Sequence, residues 1–281
     1  MAVSLELASK QSALDQHLRS LGRTLVAYSG GTDSAFLAWA SHRALGDDML
    51  AVIADSPSLA RFHLADAIAF AHEQGISLEI IRTEELDRPE YVRNDASRCF
   101  HCKDELFTVM EGFAVARGFS TIAYGVNLDD KRDFRPGQIA ASQHRVSAPL
   151  LEAGLGKEEI RTLARDAGLR IWNKPASACL SSRIEYGRPV TAEALSAVER
   201  GEDALRQLGF RQFRVRHHGE IARIEIAKQE MPRAFTPEMT GEFTRIFKVL
   251  GFKFVTLDLE GFRSGSMNSL LPAEHIASSR S

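Results

Sequence analysis

Three groups of residues in this 281-residue chain have types and spacings that could do chemistry. The first is Ser29-Gly30-Gly31-Thr32-Asp33-Ser34, which follows a short β-prone run, Thr24 to Tyr28, and leads into a segment of helical spacing, Asp33 to Leu45. A strand that turns through glycine into a helix offers unpaired backbone N–H groups and the positive end of a helix dipole, and together these attract a phosphate. Gly30 and Gly31 let the backbone approach such a ligand, Ser29 and Ser34 have hydroxyls to donate, and Asp33 has a carboxylate for a magnesium ion bridging phosphates. An arbitrary glycine pair is usually a plain turn. Neither GxxxxGK[ST] nor GxGxxG is present here, so kinase-like and dehydrogenase readings are weaker.

The second group is the cysteines. Cys99 and Cys102 bracket Phe100-His101 in a CxxC ahead of an expected helix, with Lys103 next to them, where it could reach a phosphate or cap the loop. A CxxC alone leaves zinc binding, dithiol cycling and packing open, and a lone Cys179 is by default a small buried hydrophobe. Cys179, however, lies in Asn173-Lys174-Pro175-Ala176-Ser177-Ala178-Cys179-Leu180-Ser181-Ser182-Arg183, between two cations suited to a thiolate and to phosphate. The third group is Arg214 and Arg216, which strand alternation places on one face. Taken singly, each arginine is as well read as solvated. Glu202, Glu225 and Glu230 are ordinary helix and hairpin acids, and His217 and His218 have no partner that assigns them a role.

Composition bounds these readings. Apolar residues make up 44% and charged residues 26%, ordinary for a globular protein, which excludes disordered and collagen-like classes. A net charge of -2 gives no global field for nucleic acid. No apolar run approaches a membrane span, and Met1 to Ser20 lacks the apolar stretch of a signal peptide, so a cytoplasmic protein is expected. Three cysteines, an odd number, suit reduced thiols better than a disulfide framework.

The elements that must position these residues alternate. After an amphipathic helix, Leu5 to Leu21, strands are expected at Thr24–Tyr28, Leu50–Ala54, Leu78–Arg82 and Thr121–Gly125, with helices at Asp33–Leu45, Leu59–Gln74 and Glu105–Arg117 between them. Such alternation predicts an α/β fold with a parallel sheet covered on both faces and a ligand at the carboxyl ends of its strands. Beyond Pro149 come helices at Lys157–Ala167 and Ala192–Leu208, a hairpin around His218-Gly219-Glu220, a helix to about Leu250 and a strand at Lys253–Asp258. The expected division is a domain at 1–188 and a smaller α+β domain at 189–281 for substrate binding and oligomerisation.

The complete string SGGTDS after the first strand resembles the loop of the PP-loop ATP pyrophosphatases. That resemblance implies cleavage of ATP between its α and β phosphates, an adenylated substrate, and adenine near Ala54-Asp55-Ser56. More specifically, KPASACLSSR with Tyr186-Gly187, Phe213-Arg214-Val215-Arg216, DKRDFRPG at Asp130 to Gly137 and GFRSGSMN at Gly261 to Asn268 are similar to the LarE-type sulfur transferases, which build the nickel-pincer cofactor of lactate racemase. The likeness runs from about Leu25 to Asn268.

What the resemblance implies is adenylation of a carboxylate on pyridinium-3,5-biscarboxylic acid mononucleotide, followed by sulfur insertion. ATP and magnesium are the implied cofactors, with Ser182, Arg183, Arg214 and Arg216 on the substrate phosphate, and Glu202, Glu225 and perhaps Glu230 in an acidic metal cluster between subunits of a homo-oligomer. One form of the family sacrifices the sulfur of a cysteine at the Cys179 position. The other binds a four-iron, four-sulfur cluster through three cysteines, and Cys99, Cys102 and Cys179 match it. Three thiolates leave one iron open to an exogenous sulfide donor. Zinc with His101 as fourth ligand is the rival for the cysteines; a tRNA-thiolating enzyme, an amide-forming ligase and a non-catalytic nucleotide-binding module are the rivals for the function.

Overall fold

The computed structural model describes residues 5–132, 136–175, 178–263 and 266–267. Of the strings that carry the family resemblance, residues 133–135, 176–177, 264–265 and 268 lie outside the described residues. In chain order the elements are α1 (Leu5–Ser20), β1 (Thr24–Ala27), α2 (Thr32–Leu45), β2 (Met49–Asp55), α3 (Arg61–Glu73), β3 (Leu78–Arg82), α4 (Pro89–Val92), α5 (Arg98–Arg117), β4 (Thr121–Tyr124), α6 (Pro136–Gln143), α7 (Pro149–Glu152) and α8 (Lys157–Asp166). They continue with α9 (Ala192–Gln207), β5 (Phe213–His218), β6 (Ile221–Ile226), α10 (Met231–Ala234), α11 (Pro237–Val249) and β7 (Phe254–Leu257). Two compact units result, one from Met1–Glu85 and Cys99–Ser177, the other from Leu86–Arg98 and Ala178–Ala277.

The first unit is an α/β layer structure around a parallel sheet of order β3-β2-β1-β4. All four residues of β1 are buried, as a central strand covered on both faces requires. Strand alternation then sorts them: Val26, Ala51 and Ile53 join the core made with α1, α2, α3 and α8, while Leu25, Ala27 and Val52 join the one made with Phe107, Met110 and Ala114 of α5. The first strands and helices fall within a few residues of their expected places, and the carboxyl ends of β1 and β4 point their following loops to the same edge.

The second unit carries a sheet of order β5-β6-β7, an antiparallel hairpin extended by β7 parallel to β6. Its apolar face, with Val215, Ala222, Ile224 and Ile226, packs on Leu205 of α9 and on Phe243 and Phe247 of α11. The unit differs from the expected 189–281 in beginning at Ala178 and in taking in Leu86–Arg98. Asn94 explains this: its side-chain amide donates to the carbonyls of Glu185 and Arg188 at 2.9 Å each, and Arg98 Nη1 donates to the Ser181 carbonyl at 2.9 Å. A distant segment so deeply hydrogen-bonded to a loop leaves no periodic signal in sequence.

Candidate functional site

The loop after β1 is built as a cradle. Gly30 has φ +71°, and a Cβ there would lie 2.5 Å from the Ala67 Cβ of α3, so both backbone and packing exclude any other residue. Ser34 Oγ turns inward: it accepts from the Ser29 amide at 3.2 Å, lies 3.0 Å from Ser29 Oγ and 3.2 Å from the Gly31 carbonyl. The two serines read from sequence as phosphate donors are thus partly staples of the loop. Thr32 Oγ1 donates to the Ile171 carbonyl at 3.0 Å, and Lys174 Nζ donates to the Gly30 carbonyl at 2.8 Å while pairing with Asp66. A cation therefore stands against the turn that a phosphate would occupy.

Asp33 sits in the first turn of α2, where Asn127 Nδ2 donates to its Oδ2 at 3.0 Å. Burial first, and then the charge of Asp130, push the Asp33 carboxyl above its ordinary value. Asp130 lies behind it, paired with Lys157 at 3.1 Å. Gly125, ending β4, also serves the loop, because a Cβ there would come within 2.7 Å of the Ser34 amide nitrogen. At the end of β2, Asp55 is paired with Arg61, and Ser56 and Ser58 both donate to the buried Glu85 carboxylate, which Thr83 also contacts at 2.8 Å. The adenine region expected at Ala54-Asp55-Ser56 is thus held by a carboxylate whose place sequence reasoning missed.

The CxxC lies inside α5, not ahead of it: the helix starts at Arg98, so Cys99 and Cys102 occupy its first turns. All three cysteines are free thiols, Cys99 exposed and the other two half-buried. Cys179 precedes a short 3-10 turn, Leu180–Arg183. Its carbonyl accepts from the Ser182 amide at 3.0 Å, from Ser182 Oγ at 2.7 Å and from Arg183 Nη1 at 2.8 Å. Ser182, expected on the substrate phosphate, has its proton on the Cys179 carbonyl instead.

The arginines and glutamates of the second unit form one network on the polar face of its sheet. Arg183, 1% exposed, pairs with Glu202 through Nε at 3.0 Å and Nη2 at 3.2 Å. Arg216 Nη2 donates to Glu225 at 2.8 Å, and Glu225 also accepts from Ser266 at 2.6 Å. The expectation that Glu202 and Glu225 hold a metal is corrected by these bonds, because each carboxylate is the counter-ion of a buried arginine. Glu230 instead accepts the amides of Arg211 and Gln212. Arg216 Nε is buried without a hydrogen-bond partner. Arg214 stacks on Phe262, and burial, followed by the charge of Arg183, brings its pKa down to about 10, with Arg216 adding to the effect against Glu202 and Glu225. Three cations against two anions make this face an anion-seeking one.

Among the described residues no group of three or more His, Cys, Asp or Glu side chains is placed to hold a metal, His101 with the cysteines included. No helix among them is long and apolar enough to cross a membrane.

No protein-family model matches the chain. It is 42% identical over 265 residues to an uncharacterised protein of Synechocystis sp., covering 94% of this chain and 99% of that one. It is also 34% identical over 272 residues to the pyridinium-3,5-bisthiocarboxylic acid mononucleotide synthase of Lactiplantibacillus plantarum, covering 96% of this chain and 98% of that enzyme. The chain belongs to the LarE-type sulfur transferases, a PP-loop family of ATP-dependent enzymes. A partial likeness, 30% over 165 residues, links it to a glutamine-hydrolysing GMP synthase of Methanococcus vannielii and covers only 52% of this chain and 50% of that one. An amide-forming ligase therefore accounts for half of what the LarE-type family accounts for almost whole.

For a LarE-type chain, the residues that sequence reasoning did not single out are Asn127, Glu85 and Gly125. Asn127 follows the fourth strand by three residues, at the ligand edge of a parallel sheet, and that position was the available signal. Glu85 carried none, since only burial distinguishes it.

Proposed function

We propose that the chain adenylates a carboxylate of pyridinium-3,5-biscarboxylic acid mononucleotide and replaces the AMP with sulfur, giving the thiocarboxylate used in nickel-pincer cofactor biosynthesis. The observation that carries this reading is the likeness to the bisthiocarboxylic mononucleotide synthase over 96% of the chain, on a fold whose first loop is built as a phosphate cradle. A substrate carboxylate oxygen attacks the α-phosphorus of ATP, the bond to the bridging oxygen breaks, and pyrophosphate leaves with the electron pair. Amides at the start of α2 take the phosphate charge, and Lys174 adds a cation beside Gly30. Asp33, fixed by Asn127, has the carboxylate chemistry for magnesium, which when bound neutralises charge on the departing pyrophosphate.

The substrate phosphate is assigned to Arg214 and Arg216. A bound anion would satisfy the orphaned Arg216 Nε and relieve the cationic crowding at Arg214. In the second step a sulfur nucleophile adds to the acyl carbon, and AMP leaves with the electrons of its C–O bond. Cys99, Cys102 and Cys179 match a four-iron, four-sulfur cluster in the number and kind of donors, and a cluster would supply a site for exogenous sulfide. The three are not gathered into a ligand group, so no step is derived through the cluster. Direct donation from Cys179 is the second reading, favoured by the hydrogen bonds that fix its backbone. In it the Cys179 thiolate forms a thioester, and loss of the Cα proton with cleavage of Cβ–Sγ leaves dehydroalanine and the thiocarboxylate. The enzyme is taken to work as a homo-oligomer.

Anaerobic reconstitution tests the sulfur source, with iron, sulfide and zinc quantified on the parent protein and on Cys99→Ala, Cys102→Ala and Cys179→Ala. Iron and sulfide that require all three cysteines support the cluster. No iron, together with dehydroalanine at Cys179 after turnover, supports direct donation.

A further inference from the structure

We infer that Arg183, braced by Glu202, is a positioning residue for Cys179 and not a ligand of the substrate phosphate; the inference rests on the reading that Cys179 takes part in sulfur delivery. An arginine that recognises a phosphate presents N–H groups to open space. Arg183 is 1% exposed, and all three of its guanidinium nitrogens are engaged. Nε and Nη2 hold Glu202 in a two-point ion pair, and Nη1 donates to the carbonyls of Ala178 at 2.6 Å and Cys179 at 2.8 Å. Glu202 stands in the interior of α9, so this chain of bonds refers the backbone on either side of Cys179 to one rigid helix.

The consequence concerns the sulfur. With the peptides before and after Cys179 fixed, only the side-chain torsion is left to place Sγ, and that torsion has three staggered wells. Sulfur transfer needs the nucleophile or its cluster within a narrow approach distance of the acyl carbon, and a misplacement of about 1 Å costs on the order of 100-fold. The phosphate, by contrast, has Arg216 Nε and Arg214 to meet it. Arg183→Lys keeps the charge but cannot span both a carboxylate and two carbonyls.

The test uses full-length Arg183→Lys and Glu202→Gln proteins with three readouts: the rate at which iodoacetamide alkylates Cys179, resolved by peptide mass; the KM for the biscarboxylate mononucleotide, from pyrophosphate release; and thiocarboxylate formed per pyrophosphate. The expected result is an alkylation rate shifted about fivefold, product per pyrophosphate reduced about tenfold and KM within about twofold of the parent, with Glu202→Gln moving the same way. A KM raised about tenfold with product per pyrophosphate retained would make Arg183 a phosphate ligand and overturn the inference. Parental values for alkylation and product ratio would overturn it as well. A parent that releases no pyrophosphate with this mononucleotide defeats the functional reading alone, and the alkylation comparison still decides the positioning role. Should Arg183→Lys fail to fold, Glu202→Gln decides.

Discussion

The side-chain amide of Asn127, just past the fourth strand, donates to Oδ2 of Asp33 in the first turn of α2 at 3.0 Å. This bond joins the two strand ends between which the phosphate loop lies, and it holds a half-buried carboxylate whose proton affinity burial and Asp130 have raised. Asn127→Ala should therefore slow pyrophosphate release by about tenfold, and Asp33→Ala should reduce it by a further order of magnitude or more. A pyrophosphate-coupled assay at saturating substrate checks both. Asn127→Asp is expected to be worse than alanine, since it places a third carboxylate beside Asp33 and Asp130.

Gly30→Ala should destabilise the first unit by about 2–4 kcal/mol, because it combines a left-handed backbone with a Cβ driven into Ala67. Adding Ala67→Gly removes the clash and leaves the backbone strain, so the double variant should recover only part of the loss. Urea unfolding of both proteins measures the two contributions separately.

Arg214 is a functional cation held at a cost. Burial and the charge of Arg183 have lowered its pKa to about 10, so its charged form is disfavoured in the folded state relative to an exposed arginine. Arg214→Met should raise the melting temperature while raising the KM for the mononucleotide about tenfold or more. Inorganic phosphate should stabilise the parent protein against heat and leave Arg214→Met largely unaffected, which a melting series with phosphate will show.

His144 clamps the helix that carries Cys99 and Cys102. Burial disfavours its imidazolium, but Asp104 at 3.2 Å and Glu111 at 3.0 Å outweigh burial, and its pKa is raised above 6.5. A base with a raised folded-state pKa contributes stability that is complete below the unfolded value and is lost as pH rises through the folded one. Stability should thus decline with rising pH from about 6.5 upward, and His144→Gln should flatten that part of the profile. Denaturant midpoints at closely spaced pH values test this.

The parallel-sheet unit was legible because β1 and β2 are short, apolar and followed by glycine or helical spacing, and each of those signals is local. SGGTDS likewise needs only its own neighbours to be read. The second unit was harder, since Asn94 and Arg98 reach residues 181–188 across a long stretch of chain, and such bonds have no periodicity. The same limit explains the errors at the site. Arg183, Glu202 and Glu225 looked like ligands by type and resemblance, and only the pairing of buried charges showed that they satisfy one another. The CxxC was set ahead of α5 because Arg98-Cys99-Phe100-His101 gives no helical start signal, and the helix begins there without a recognisable cap.

The most direct test of the central claim is a mass-spectrometric assay of the pyridinium-3,5-biscarboxylic acid mononucleotide after anaerobic incubation with the protein, ATP, magnesium and sulfide, with pyrophosphate counted in the same samples. The account predicts replacement of a carboxylate oxygen by sulfur, dependent on ATP and on Asp33, with one pyrophosphate released for each sulfur inserted. Pyrophosphate release that ignores the mononucleotide, or sulfur appearing on tRNA in its place, would contradict it.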